Sequence, residues 1–299
     1  MLAMPSALLG ARTGLRVGRL GLGGAGALMD QYGPVAAADV EAIVAAARRR
    51  GVTVFDTAPA YGERLSERRL GAALAGTDVL LATKVGMYAE GSVHRVDVSA
   101  DAARRSIEMS LTLLARERLD LVQLHEITDE SWSAAMGRNG AVAALERARD
   151  EGLVRWIGVT GSQAGPLLRA IGTDRFDTVM VWRIWNLLDR SGDGVLDAAQ
   201  ERGVGALVGG PFASGILASG PIDGSLLHYR PPTEQERERV RALERRARAR
   251  GRRLRDEALA FCLDERVACV VAAVATEDQL HSNADAAAAL GQVRTRALQ

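Results

Sequence analysis

The chain is short of cysteine, lysine, aromatic residues and net charge, and each shortage excludes something. Two cysteines, Cys262 and Cys269, cannot staple a secreted scaffold of 299 residues. Both lie in apolar stretches and read as core packing rather than redox or metal groups. Lys plus Arg is 38 and Asp plus Glu is 37, so the formal net charge is +1. That balance gives no general pull toward nucleic acid or an anionic membrane. No apolar run reaches the ~18 residues that would span a bilayer. The first residues show no basic start leading into a long apolar core, so no signal peptide is expected. Together these features predict a cytoplasmic protein, a monomer or small homo-oligomer. The four histidines (His94, His125, His228 and His281) are scattered, and no pair has the spacing of metal ligands. Lysine occurs once, at Lys84; removing it from the 38 cations leaves 37 arginines.

What is present is an apolar fraction of 47%, too high for a disordered chain. Short apolar runs alternate with longer amphipathic ones. The runs fall near 20–24, 52–56, 78–84, 119–125, 154–159, 178–182, 205–208 and 268–273. Helical patterns lie between them at 39–50, 63–75, 101–116, 140–151, 163–171, 193–202, 234–264 (interrupted near Gly251) and 277–290. Continuous apolar runs suit parallel strands covered on both faces. Eight βα repeats in one composition regime predict an α/β protein, a closed (β/α)8 TIM barrel of one domain, with a doubly wound sheet as the alternative.

Two segments could mislead. Gly21-Leu-Gly-Gly-Ala-Gly26 matches a dinucleotide fingerprint, but a loop with Gly33 and Pro34 separates it from its helix. The glycines read instead as close backbone approach at the barrel mouth. The stretch Arg230–Arg255 carries eleven arginines interleaved with acids and reads as a solvated helix face.

In such a barrel the strand ends and the loops after them form the active face. The second strand ends at Asp56, and its loop continues to Tyr61. The third ends at the only lysine, Lys84, and the fourth at His125. Asp56 would be costly to bury unpaired, and Lys84 is its evident partner. In the hydride chemistry that the family resemblance given below implies, a proton must move at the carbonyl oxygen. A tyrosine hydroxyl titrates near 10. A cation at ~4 Å contributes on the order of 4 kcal/mol at an effective dielectric near 20. Lys84 is therefore expected to bring Tyr61 down toward neutral pH. Asp56 would hold the ammonium, and His125 would orient the substrate oxygen.

The set Phe55-Asp56-Thr57-Ala58 to Tyr61-Gly62, Ala82-Thr83-Lys84 and Asp120-Leu-Val-Gln-Leu-His125 resembles the aldo-keto reductase superfamily over about residues 13–290. The resemblance implies a nicotinamide-dependent oxidoreductase with Asp56, Tyr61, Lys84 and His125 as catalytic residues. It implies that Gly24, Thr160, Gly161, Gly210, Pro211, Phe212, Ser214, Gly215, Leu217, Thr276, Gln279 and Asn283 contact the cofactor. Thr276 with Gln279 also reads as a capping box. Family members that take NADP carry Lys or Arg around this last helix start. Here Glu277 and Asp278 stand instead, so NAD is expected over NADP, which stays possible. The segments Gly158–Gly161 and Gly209–Leu217 look like the aldose-oxidising branch, the D-threo-aldose 1-dehydrogenase and L-galactose dehydrogenase type. That branch oxidises a sugar at its anomeric carbon to a lactone. A general aldehyde, ketone or pyridoxal oxidoreductase is the alternative, and a non-catalytic cofactor-binding regulatory subunit is another. Trp132, Trp182, Trp185, Tyr88 and Tyr229 are the aromatic candidates for contact with a small carbonyl or sugar substrate.

Overall fold

The computed structural model describes residues 3–30, 33–91 and 93–297, without the side chains of 291–297. Eight strands carry the architecture: β1 (Leu20–Gly26), β2 (Val54–Asp56), β3 (Leu80–Val85), β4 (Leu119–Leu124), β5 (Val154–Gly161), β6 (Thr178–Trp182), β7 (Gly205–Gly209) and β8 (Val267–Val274). All are paired in parallel and in chain order, and β8 closes on β1. The eightfold alternation read from the sequence is this barrel.

A period of two sorts each strand into an inner and an outer set. Phe55, Leu81 and Val122 point out into a large apolar layer beneath the helices. Val54, Leu80, Ala82 and Leu121 point in, with Trp156, Met180, Leu207 and Cys269, and fill the lower barrel. The same alternation carries Asp56, Lys84 and Gln123 inward one layer higher. They are 3%, 2% and 0% exposed. Val17 of the lower hairpin Ser6–Leu8 with Arg16–Gly18, and Leu9 just after its first strand, join that inner cluster from below.

The helices Ala37–Arg49, Leu65–Ala73, Ala100–Leu113, Ala141–Asp150, Ala164–Gly172, Asp193–Glu201 and Leu254–Cys262 surround the barrel, with the last helix at Glu277–Ala297. The long arginine-rich stretch breaks after Glu234–Ala249, where Gly251 adopts φ +68°. Its arginines pair with acids along their own helix, as Arg241 does with Glu234 and Arg245 with Glu238. Three elements had no periodic signal of their own. These are the lower hairpin, a second hairpin of Met87–Glu90 with Val93–Val96, and a helix at Asp129–Met136. The two hairpins are four residues per strand or fewer, too short for two-residue alternation to stand out.

Candidate functional site

The loop after β2 turns three consecutive residues, Gly62, Glu63 and Arg64, into the left-handed region. Two non-glycine residues there cost on the order of 1 kcal/mol each. The turn is held by Arg64 N–H to Pro59 O at 3.1 Å and Ser66 N–H to Tyr61 O at 3.3 Å. It sets Tyr61 above the end of β3. Behind it lies a buried network: Glu67 accepts from Thr83 Oγ1 at 2.7 Å, Ser110 Oγ at 2.6 Å and Arg64 Nη1 at 2.6 Å.

Lys84 Nζ donates to Asp56 Oδ2 at 2.6 Å and to Thr57 O at 2.8 Å, and reaches the Tyr61 hydroxyl at 3.4 Å. Gln123 Nε2 donates to the other Asp56 oxygen at 3.0 Å. The rings of Tyr61 and His125 meet edge to face at 6.0 Å. The structure thus brings Asp56, Tyr61, Lys84 and His125 into one chamber of about 450 Å³.

Burial pushes the Asp56 carboxyl up and the Lys84 ammonium down, and their ion pair opposes both shifts. Burial and the neighbouring Lys84 charge hold His125 well below its ordinary 6.5, so its ring is neutral. Tyr61 corrects an expectation. Its hydroxyl stands well above 10, because burial dominates and Asp56, Tyr229 and Glu126 add negative charge. Lys84 has committed its charge to Asp56, nearly 1 Å closer than Tyr61. Tyr61 is therefore protonated at neutral pH.

Small residues shape the rest of the chamber. On β1, β7 and β8 the inward positions are Gly23, Gly209, Val271 and Ala273. That side of the mouth stays open and leads into a second cavity of about 510 Å³. The two cavities share Ala25, Gly210, Tyr229 and Ala273, so they form one continuous groove. Beyond the chamber the groove is lined by Pro211, Phe212, Ser214, Gly215, Gln279 and Asn283. A Cβ on Gly210 or Gly215 would meet nothing within 4 Å.

Several expected contacts fall elsewhere. Thr160, Gly24, Trp182 and Tyr229 line the chamber. Gly161 packs on Leu167 instead, and its Cβ would lie 3.2 Å from that side chain. The Leu217 side chain is buried in an apolar cluster with Val240 and Leu254, and its N–H donates to Phe212 O. Thr276 lies off the groove lining; its Oγ1 accepts the Gln279 N–H at 3.3 Å, while Gln279 Oε1 reaches back to Ala275 N at 2.8 Å. Trp132 lies under the Arg169 guanidinium at 4.0 Å and packs on the outer core. Trp185 is a correction. After Trp182 the chain turns at Arg183, and Trp185 falls back into the core against Phe261, ring centroids 4.8 Å apart, at 6% exposure. Tyr88 is another: the second hairpin swings it to a surface groove with Arg64, Arg95 and Ser106.

Further polar residues join the site that the sequence reading did not single out, His94, Gln123, Glu126, Arg183 and Arg255 among them. Gln123 braces Asp56 two positions before His125, which its inward register foretells. Glu126 directly follows His125 and Arg183 directly follows Trp182, and both line the chamber. Arg255 enters the outer groove from the helix before β8. It donates to Asn283 Oδ1 at 2.6 Å. Glu277 and Asp278 do not line that groove; Glu277 meets His281 and Arg49 instead.

The chain is similar to known proteins over most of its length. The model of the Aldo/keto reductase family matches residues 19–292. L-galactose dehydrogenase of Arabidopsis thaliana is 29% identical over 91% of this chain and 84% of its own. D-threo-aldose 1-dehydrogenase of a Pseudomonas species is 30% identical over 70% of each chain. Among solved structures, the holo form of aldo-keto reductase AKR11C1 from Bacillus halodurans superposes with a TM-score of 0.80 at 28% identity, covering 95% of this chain and 90% of that one.

Proposed function

Because this chain belongs to the aldo/keto reductase family, we propose that it is a nicotinamide-dependent dehydrogenase that oxidises an aldose at the anomeric carbon to a lactone. The observation that carries the reading is the Asp56–Lys84–Tyr61 contact beside a neutral His125, at the head of a groove that leaves the chamber on its small-residue side. The groove suits an extended dinucleotide. It is continuous over both cavities, and Ser214, Gln279, Asn283 and Arg255 supply polar groups at the far end. When bound, the nicotinamide supplies the hydride acceptor.

The protein's own groups do the proton work. In the reduction direction the protonated Tyr61 hydroxyl is a donor to the substrate oxygen, and in oxidation the anomeric proton leaves by the same two groups, Tyr61 and the neutral His125 ring. The two give one substrate oxygen both a donor and an acceptor, as general acid–base exchange requires. Asp56 and the Thr57 carbonyl fix the Lys84 ammonium, so that its charge faces Tyr61. Trp182 and Tyr229 line the chamber with aromatic surface suited to a sugar face. The two aldose-dehydrogenase relatives support the oxidation of a sugar.

The case for NAD over NADP rests on Glu277 and Asp278, and these lie outside the groove lining. Arg255 lies inside it. Both cofactors are therefore usable in this reading, with Arg255 meeting the extra phosphate charge of NADP.

The test is reduced-cofactor formation by the purified protein with L-fucose, L-galactose, D-arabinose and pyridoxal, each with NAD and with NADP. Turnover of an aldose supports the reading. Turnover of pyridoxal alone, or reduction of simple aldehydes with no aldose oxidised, replaces it with a general carbonyl oxidoreductase. Tight binding of reduced cofactor without any turnover would favour a regulatory subunit.

A further inference from the structure

Strand β6 lies across the barrel from β2, so its end faces Asp56 over the chamber. Trp182 closes β6 and is fixed at its edge: its indole Nε1 donates to Glu126 Oε2. Glu126 is consumed by that wall, because its other oxygen accepts from both the N–H and the hydroxyl of Ser162. The Arg183 guanidinium covers the Trp182 ring, 5.0 Å from its centroid. Tyr229 tilts toward the same ring at 6.4 Å.

Arg183 is the odd member of this cluster. Its φ is +70°, so the chain holds an arginine in a conformation that disfavours it. Most arginines whose contacts the structure gives are tied to carboxylates or carbonyls, as Arg64, Arg69 and Arg175 are. Among the described residues the Arg183 guanidinium has neither a hydrogen bond nor an ion pair. Stacking on an indole leaves its in-plane N–H donors free. A partly buried cation with unused donors, on the wall of a reaction chamber, is built to receive an anion.

Resting on the aldose-oxidation reading above, we infer that Arg183 binds an anionic group at the end of the substrate remote from the reacting carbon, so the substrate is an acidic aldose bearing a carboxylate or a phosphate. For a hexuronate the reaction balances without touching the carboxylate. The C1 hydrogen leaves with its electron pair for the oxidised nicotinamide. The anomeric O–H proton passes through Tyr61 and His125 to solvent. The C1=O bond of the lactone forms, giving lactone, reduced cofactor and one proton.

The experiment compares kcat/KM with NAD for D-glucuronate, D-glucose 6-phosphate and D-glucose, and for D-galacturonate against D-galactose. It uses the wild type, Arg183→Ala and Arg183→Lys, and repeats the wild type at high salt. At least one acidic sugar should exceed its neutral counterpart tenfold or more at low salt. That ratio should shrink at high salt, fall at least tenfold in Arg183→Ala and recover in part in Arg183→Lys. The order of uronate and sugar phosphate identifies the anion. Neutral sugars matching the acidic ones in the wild type would overturn the proposal, as would an unchanged ratio in Arg183→Ala.

Binding of D-gluconate, which has no aldehyde to oxidise, separates this proposal from the activity itself. It is read from quenching of tryptophan fluorescence in the protein saturated with NADH. Gluconate binding that weakens tenfold in Arg183→Ala, with no sugar oxidised, would keep the anion site and remove the dehydrogenase reading. Oxidation of neutral aldoses with no gluconate binding would do the reverse.

Discussion

The Nζ of Lys84 lies 2.6 Å from Oδ2 of Asp56, and both side chains are almost fully buried. A buried pair of this kind gains little over an apolar pair of the same shape, but losing one partner is costly. Asp56→Ala should therefore lower stability by about 3–5 kcal/mol, because it strands a buried ammonium. The double variant Asp56→Ala/Lys84→Met should recover most of that loss. Urea denaturation followed at constant m-value reads both changes. If the single variant is as stable as the wild type, Lys84 does not rely on Asp56 for its charge.

Tyr61 depends on the same pair through its longer contact with Lys84. Its hydroxyl is 3.4 Å from Lys84 and is the group placed to hand a proton to the substrate oxygen. Tyr61→Phe keeps the ring that packs edge to face on His125. It should lower kcat by roughly 10²–10⁴, the usual range for losing a general acid. Affinity for reduced cofactor, measured by fluorescence titration, should stay within a few-fold. Wild-type turnover in this variant would remove Tyr61 from its role.

The pH dependence follows from two opposite shifts. His125 is held well below 6.5 in the folded chain, by burial first and the Lys84 charge second. A histidine binds its proton more readily unfolded than folded in that case. Its contribution is thus fully present above the unfolded value of 6.5 and is lost as pH falls below it toward the lower folded value. Stability should fall by up to about 1.4 kcal/mol per pH unit from this group below 6.5. His125→Asn should flatten the urea midpoint between pH 6.5 and 5.5. Tyr61 is shifted the other way, well above 10. Aldose oxidation, which must lose a proton, should quicken with rising pH through 9, while the reverse reduction stays flat from 6.5 to 9. An oxidation rate that levels off near pH 7 would show that Tyr61 does not limit proton loss.

The barrel and its four converging side chains were legible because both rest on local rules. Parallel strands covered on both faces read as apolar runs, and two-residue alternation then fixes which strand-end residue points in. Asp56, Lys84 and His125 each end such a run. The aromatic residues were legible only in part: Trp182 and Tyr229 line the chamber while Trp132, Trp185 and Tyr88 do not, because no periodicity continues past a strand end. Trp182 and Trp185 are three positions apart and equally apolar, yet one lines the chamber and the other is core. The left-handed turn at Arg183 separates them, and arginine gives no signal for φ > 0 as glycine would. The titration of Tyr61 failed for a different reason. Pairwise attraction from Lys84 was foreseeable, but the depth of burial and the prior claim of Asp56 on that charge are properties of the assembled site.

Cofactor choice is decided in the same non-local way. Sequence order placed Glu277 and Asp278 at the start of the last helix, where they argue against a 2′-phosphate. The fold turns Glu277 toward His281 and Arg49 and leaves Asp278 exposed. Meanwhile Arg255, more than twenty residues earlier, reaches Asn283 at 2.6 Å and lines the outer groove. A hydrogen bond to a charged group contributes about 1.5–3 kcal/mol when well shielded from water. Arg255 is only half-buried, so the lower end applies, which corresponds to roughly tenfold in kcat/KM. Arg255→Ala should therefore reduce kcat/KM for NADP about tenfold more than for NAD. Added salt should erode the NADP value of the wild type and leave that of the variant nearly level, because the contact is electrostatic. Equal losses with both cofactors would mean that Arg255 serves only to brace Asn283, and that the two acids decide the preference after all.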